Sequence, residues 1–152
     1  DSVMPLLEDY LTWNYRQVDS KSYIEMYNLA DGEILEGVKG PSLKIASEVT
    51  ADKVDKIHAI ALLYQGKAIS STRFITHHDS ITALYMYLGA NPLYARIQEY
   101  IVGFSTLDDW FLDPWQAFRI AQEKKQIHES YYSDERRPLY TNQVLFFNKD
   151  KE

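Results

Sequence analysis

The stretch AISSTRFI, residues 68–75, decides the fold class, because its β-branched and hydroxyl residues predict a buried strand. Helical patterns stand on both sides of it. The pattern before it predicts a helix over residues 50–66, and the pattern after it predicts a helix that begins at Asp79 or Ser80 and stops at Gly89. The earlier helix is expected to be capped by Thr50 and to run through Val54, Ile57, His58, Ala61 and Leu62. This part of the chain therefore predicts one strand between two helices.

Toward the N-terminus the pattern is again mixed. Residues 2–13 have apolar side chains at helical spacing, and residues 13–18 predict a short strand. The next helix is expected to start with a capping box formed by Ser22 and Glu25 and to stop at Gly32.

Toward the C-terminus, residues 94–104 form the clearest strand pattern of the chain. Asp113 and Pro114 predict the start of a helix, and residues 143–147 predict a last strand. The inner side of that helix is expected to carry Trp115, Phe118 and Ala121. The order α-β-α-α-β-α-β-α-β, with short strands and segregated helices, predicts an α+β fold rather than a doubly wound sheet.

Composition limits the class of protein. With 152 residues and 45% hydrophobic residues, residues 1–152 are expected to form a single domain. The net charge of −6 argues against a general nucleic-acid binder, and no apolar run approaches the length of a membrane span. The absence of Cys excludes disulfides, thiolate metal sites and cysteine nucleophiles.

Common cofactor motifs are absent from the sequence. It contains no G-x-G-x-x-G, no phosphate-loop GK[ST] and no H-E-x-x-H. His77, His78 and Asp79 are adjacent, and adjacent residues on a strand point to opposite faces, so they favour a helix-entry turn over a metal site. No metal is therefore expected.

Three short blocks occur in a fixed order and carry the candidate chemistry. Tyr15-Arg16 lies on the early strand, and Ser70-Ser71-Thr72 lies on the middle strand. Glu129 lies near the C-terminus, ahead of the last strand. In this order the blocks resemble the Arg–Ser–Glu class of mono-ADP-ribosyltransferases, which includes the cholera- and pertussis-type toxins.

The third block leaves two candidates for the catalytic carboxylate. The family usually has Glu or Gln two positions before its catalytic Glu, whereas Ile127 precedes Glu129 at that spacing. Glu135 is the alternative, and Ser133 stands two positions before it.

The resemblance implies an α+β, ADP-ribosyltransferase-like fold with a split mixed β-sheet and flanking helices. It also implies cleavage of the nicotinamide–ribose bond of NAD and transfer of ADP-ribose to a macromolecule, usually a protein of a host or competitor cell. NAD is then a substrate, and no metal takes part. Such a toxin- or effector-like chain would be secreted or delivered into a target cell. A delivery subunit would be attached non-covalently, because the chain has no Cys.

The resemblance also implies roles for individual residues. Glu129 would stabilise the oxocarbenium-like charge on the ribose, and Arg16 would clamp NAD phosphate. Ser71, together with Ser70 or Thr72, would hold the Glu and bind the ribose. The residue expected to pack on nicotinamide is Tyr15, Tyr131 or Tyr132.

Each block also has an ordinary structural interpretation. Arg16 would form a surface ion pair, the hydroxyls of Ser70, Ser71 and Thr72 would pair across the sheet, and Glu129 would be a solvated carboxylate. The chain would then be a non-catalytic acidic protein-binding module of the immunity or adaptor type, with some of its 12 Tyr at the interface, or a degenerate transferase.

Overall fold

The computed structural model of the protein describes residues 19–32, 43–64, 67–74, 79–83 and 101–145. The elements in chain order are helix α1 (Ser20–Tyr27), strands β1 (Ile57–Tyr64), β2 (Lys67–Ser71), β3 (Ile101–Thr106) and β4 (Phe111–Leu112), helix α2 (Pro114–Glu123), and 3₁₀ turns at Glu129–Tyr131 and Thr141–Gln143. Residues 79–83 are also helical. The chain is thus an α+β protein with a four-stranded antiparallel sheet, and the predicted α+β class is confirmed.

The sheet has the strand order β2-β1-β3-β4, so β1 and β3 are its central strands. In the register, Ile60 of β1 lies opposite Ser71 of β2 and Phe104 of β3. An irregularity interrupts the pairing of β1 with β3 between Ile57 and Ala59.

Both faces of the sheet are covered. Cross-strand partners share a face, so Ile60 and Phe104 lie on one side, where they pack with Phe118 of α2. Ala61 and Leu63 lie on the other side. There they pack with Tyr23 and Ile24 of α1, with Leu43 and Ile45 of the preceding segment, and with Phe111. The described core therefore has three layers, with the sheet in the middle.

The helix predicted over residues 50–66 is wrong, because strand β1 occupies its second half. The run IHAIALLY is buried at nearly every position, since α2 packs on one face of β1 and α1 on the other. Burial on both faces removes the alternation that identifies a strand, and the remaining apolar run also fits a helix.

Helix α1 exists but has different caps from those predicted. It begins at Ser20, and its N-cap is Asp19, whose side chain accepts a hydrogen bond from the backbone N–H of Ser22. Its last residue is Tyr27, and the C-cap residue Asn28 adopts the left-handed conformation. Gly32, predicted as the stop, lies in a following turn with φ of +78°.

The helix predicted to start at Asp113 and Pro114 is confirmed as α2, with a complete capping box between Asp113 and Gln116. The inward position predicted for Trp115 is only half correct, because its side chain is half-buried beside a cleft.

The strand predictions are confirmed in part. The strand predicted over residues 68–75 is β2, which ends at Ser71, and the helix start predicted at Asp79 or Ser80 is confirmed. Strand β3 covers the end of the strand predicted over residues 94–104 and runs on to Thr106.

Residues 143–145, the described part of the last predicted strand, do not form a strand. Thr141–Gln143 is a 3₁₀ turn, and Val144 makes only an isolated bridge with Ile127. The predicted helix of residues 2–13 and the predicted strand of residues 13–18 lie outside the described residues.

Candidate functional site

A cleft of about 350 Å³, here called the tyrosine cleft, lies between α2 and the segment that follows it. Its lining residues are Phe118, Ser130, Tyr131, Tyr132, Ser133, Arg137, Pro138, Tyr140 and Gln143. The exposed fractions of the three tyrosines are 43% for Tyr131, 43% for Tyr132 and 59% for Tyr140. Three large aromatic side chains therefore remain accessible around one cavity.

Local hydrogen bonds shape the two turns that carry these tyrosines. At the first turn, the Nδ1 atom of His128 accepts a hydrogen bond from the backbone N–H of Ser130 over 3.1 Å. At the second turn, the side-chain oxygen of Gln143 accepts from the backbone N–H of Tyr140 over 3.0 Å. The backbone N–H of Gln143 in turn donates to the carbonyl of Tyr140 over 3.0 Å.

The segment between the two turns is also attached to α2. The backbone N–H of Ser133 donates to the side chain of Gln122 over 2.8 Å. Farther along the chain, the N–H of Leu139 donates to the carbonyl of Pro114 over 2.9 Å. The cleft wall is therefore held at both ends of the same helix.

Arg137 provides the charge in the tyrosine cleft. Among the residues described as lining this cleft, it is the one with a charged side chain. Its Nη2 atom lies 3.3 Å from Oε2 of Glu135. Both side chains are largely exposed, at 56% for Arg137 and 79% for Glu135. An exposed pair of this kind contributes little to stability, so the guanidinium remains available to another carboxylate.

A second cleft, of about 570 Å³, lies beside the start of α2 and is here called the tryptophan cleft. The guanidinium carbon of Arg136 lies 4.6 Å from the centroid of the Trp115 ring. The Nη2 atom of Arg136 is 3.1 Å from Oδ2 of Asp19. The consecutive arginines 136 and 137 therefore project into different clefts.

The floor of the tryptophan cleft is the buried carboxylate of Asp113. Its Oδ1 accepts from the backbone N–H of Gln116 over 2.7 Å, and its Oδ2 accepts from the N–H of Ser20 over 2.8 Å. Burial raises the pKa of Asp113, although these hydrogen bonds oppose the shift.

The opposite shift occurs at the rim of that cleft. Burial alone would raise the pKa of Asp19, but hydrogen bonds from Ser22 and the neighbouring Arg136 guanidinium together lower it. The Asp19 carboxylate therefore stays ionised beside the two helix N-termini.

The hydroxyl residues predicted for the site lie at the end of β2. The Oγ atom of Ser70 lies 2.8 Å from that of Ser105 and donates to a backbone carbonyl of β1. Ser71 belongs to the opposite face of the sheet, and its Oγ accepts from the N–H of Arg73 over 3.0 Å. Thr72 is exposed in the following turn. The hydroxyl of Ser70 therefore pairs across the sheet.

The carboxylates predicted for the site lie in the segment that borders the tyrosine cleft. Glu129 is exposed and begins the turn that carries Tyr131, and Tyr132 follows that turn directly. The alternative, Glu135, pairs with Arg137. Glu129 is a sequence neighbour of Tyr131 and Tyr132, but it is not among the residues described as lining the tyrosine cleft.

Tyr15 and Arg16 lie outside the described residues. The predicted meeting of Arg16, Ser71 and Glu129 in one cleft therefore stays a prediction. In the part of the chain that the structure describes, no group of three or more His, Cys, Asp or Glu side chains is placed to hold a metal ion. No helix within that part is long and apolar enough to cross a membrane.

Sequence reasoning missed Arg137 and Tyr140 as members of one cleft, and it assigned Trp115 to the core. The available signal was compositional: residues 129–143 contain several Tyr and Arg, which are enriched among the residues that dominate binding energy. No protein-family model, curated protein or solved structure matches the chain.

Proposed function

We propose that the chain is a non-catalytic protein-binding module whose tyrosine cleft receives a segment of a partner protein. The observation that carries this proposal is the grouping of Tyr131, Tyr132 and Tyr140, all accessible, around one cavity. A tyrosine ring offers a large rigid contact area with a polar hydroxyl, and Tyr is enriched among residues that dominate binding energy.

The size of the cleft fits a small part of a partner. A volume of about 350 Å³ accommodates one or two side chains rather than a folded element. Phe118, a buried core residue, is also among the residues that line the cleft, so the cleft borders the apolar core.

Attachment to α2 supports the same interpretation. Hydrogen bonds from Ser133 to Gln122 and from Leu139 to Pro114 hold the segment before any partner arrives. A surface that is already ordered loses less conformational entropy on binding, so more of its contact energy contributes to affinity.

The experiment is selection of peptides from a random display library on the full chain. The selected peptides are then measured against the double variant Tyr131→Ala/Tyr132→Ala. We expect binding to fall by about tenfold or more, as for loss of central aromatic contacts. Met26→Ala is the matched control, since Met26 is an exposed apolar residue of α1 and is not among the cleft residues. Absence of any peptide that depends on the two tyrosines would overturn the proposal.

A second candidate function is NAD-dependent mono-ADP-ribosyl transfer, on the ADP-ribosyltransferase-like split-sheet fold that the sequence resembles. The observation that favours it is the position of Glu129 in the same short stretch as Tyr131 and Tyr132. A carboxylate close in sequence to two tyrosines suits a reaction in which positive charge develops on a ribose next to a leaving nicotinamide.

In this second candidate the other roles follow the resemblance. Arg16 binds NAD phosphate, and Ser71, with Ser70 or Thr72, holds Glu129 against the ribose. The acceptor is a protein of a host or competitor cell. The chain is then secreted or delivered as a toxin-like effector, with any delivery subunit bound non-covalently.

Release of nicotinamide from labelled NAD, with and without lysate of a candidate target cell, tests the second candidate. Release by the wild type that is lost in Glu129→Gln, but kept in the exposed-carboxylate control Glu25→Gln, would support it. Loss in Glu135→Gln instead would assign catalysis to Glu135. Binding of NAD without release of nicotinamide indicates a degenerate transferase. If the wild type neither binds NAD nor releases nicotinamide, this candidate is overturned.

A further inference from the structure

We infer that the segment received by the tyrosine cleft is acidic, that its carboxylate pairs with Arg137, and that Glu135 occupies this arginine in the free protein. The inference rests on the proposed binding function and adds the chemical class of the partner.

The first argument is the polarity of the groups around the cleft. Arg137 supplies a fixed positive charge to the cleft, and the three tyrosines that line the same cleft carry hydroxyls that can donate hydrogen bonds. A guanidinium binds a carboxylate through two parallel N–H groups, which gives both affinity and orientation. A carboxylate on an extended peptide therefore matches the charge and the donors of this cleft.

The second argument is the contact already present. Glu135 reaches Arg137 through a 3.3 Å approach of one oxygen, and its backbone N–H donates to the hydroxyl of Ser133 over 3.1 Å. Its side chain is otherwise mostly in solvent. Glu135 thus acts as an internal substitute for the partner's carboxylate. When the partner displaces it, Arg137 loses an exposed ion pair with Glu135 and gains a pair with the partner's carboxylate in the cleft.

The net negative charge of the whole chain does not prevent an acidic segment from binding in the tyrosine cleft. Charges farther away than about 8 Å are largely screened at physiological ionic strength. Arg137 is the charged residue among those described as lining the cleft, and the carboxylate of Glu135, which pairs with it, is the charge that an acidic segment has to displace.

The neighbouring Arg136 provides an internal control. It has the same charge and lies one residue away, but it stacks on Trp115 and pairs with Asp19 in the tryptophan cleft. A general effect of surface charge would make the two arginines equivalent, whereas a specific pairing in the tyrosine cleft would involve Arg137 alone.

The test uses two fluorescein-labelled octapeptides, one of alternating leucine and glutamate and one with glutamine in place of each glutamate. Fluorescence anisotropy measures their binding to the full chain. We expect the wild type to prefer the glutamate peptide by about tenfold, as for one charge-assisted pair. Arg137→Gln should abolish this preference and Arg137→Lys should keep part of it, because lysine keeps the charge without the planar fork.

Two further variants complete the design. Glu135→Gln should tighten binding of the glutamate peptide, because the internal competitor is gone, and Arg136→Gln should leave binding unchanged. Equal binding of the two peptides, no binding of either, or an unchanged preference in Arg137→Gln would overturn the inference.

Failure of the inference is distinguishable from failure of the binding function. If library selection yields neutral or basic peptides that still depend on Tyr131 and Tyr132, the acidic partner is wrong and the binding function stands. If no selected peptide depends on the two tyrosines, both proposals are wrong.

Discussion

Asp113 accepts a hydrogen bond from the backbone N–H of Ser20 over 2.8 Å, although the two residues are 93 positions apart in the chain. Its other carboxylate oxygen accepts from the N–H of Gln116, in its own helix. The first turn of a helix has backbone N–H groups without intrahelical partners, and this one side chain serves such groups of both α1 and α2. Because Asp113 is only 3% exposed, the two helices are joined at a buried polar point.

Removing this junction should destabilise the protein more than removing an ordinary helix cap. We expect Asp113→Ala to lower the free energy of unfolding by about 2–4 kcal/mol, since it leaves two N–H groups without their acceptor. Asp19→Ala, which removes the partly exposed cap of α1, should cost about 1 kcal/mol. Urea unfolding of the three proteins measures both losses, and equal losses would contradict a shared cap at Asp113.

The pH dependence of stability should carry a signature of Asp113. Its pKa is raised above the ordinary value of 3.8, so the folded protein binds the proton more tightly than the unfolded chain does. The stability that this group contributes is complete below the unfolded pKa and is lost as the pH rises through the folded pKa. We therefore expect the stability of the wild type relative to Asp113→Asn to fall as the pH rises above about 4, the usual pKa of Asp in an unfolded chain.

The control for this measurement is Asp19→Asn. The pKa of Asp19 is lowered, so its contribution is present above the unfolded pKa and is lost as the pH falls through the folded pKa. The stability of the wild type relative to this variant should thus rise with pH. Urea unfolding across the same pH range measures both trends. If the two stability differences change in the same direction with pH, burial does not raise the pKa of Asp113.

Gln126 should be important for the start of β1. Its side-chain oxygen accepts from the backbone N–H of Ile57, and its side-chain nitrogen donates to the carbonyl of Ile57, each over 2.9 Å. Ile57 is buried, so loss of both bonds leaves two backbone groups unsatisfied. We expect Gln126→Ala to cost about 1–3 kcal/mol and Gln126→Glu, which keeps the acceptor, to cost less. Thermal and urea unfolding measure both losses. An equal loss of stability in Gln126→Glu and Gln126→Ala would contradict this prediction.

Gly103 should not tolerate a side chain. A Cβ atom there would overlap the carbonyl oxygen of Leu112 and would lie 2.7 Å from Cζ of Phe111. We expect Gly103→Ala to cost about 1–3 kcal/mol, because β3 and β4 would have to separate. Adding Phe111→Leu should recover the stability lost to the clash with the Phe111 ring, but not the stability lost to the clash with the Leu112 carbonyl. Urea unfolding of the two single variants and the double variant measures the interaction between the two changes. If the losses in the free energy of unfolding simply add, this geometry is contradicted.

Helix α2 shows what local sequence is sufficient to predict. Asp113 and Pro114 identify its start, because an N-cap acts on N–H groups two or three residues later and needs no distant partner. The same reasoning found α1 but moved its start to Ser22, since Ser22 and Glu25 also fit a capping pattern. The second acceptor role of Asp113, toward Ser20, has no local signal.

Strand β1 shows where local reasoning fails. Its apolar run fits a helix or a doubly buried strand, and the layers on its two faces come from chain segments far apart in sequence. At the candidate site, Tyr131 and Tyr132 were expected near a ligand from the sequence, but Tyr140 and Arg137 join them only through the two turns attached to α2.

Helix and strand patterns and helix caps depend on residues within a few positions of one another, and they predicted the α+β class and the start of α2. The strand order, the shared cap at Asp113 and the separation of Arg136 from Arg137 into two clefts were decided by tertiary structure. The physical reason is range. Caps and turns act within one helical turn, whereas burial and pairing depend on which distant surface covers each residue.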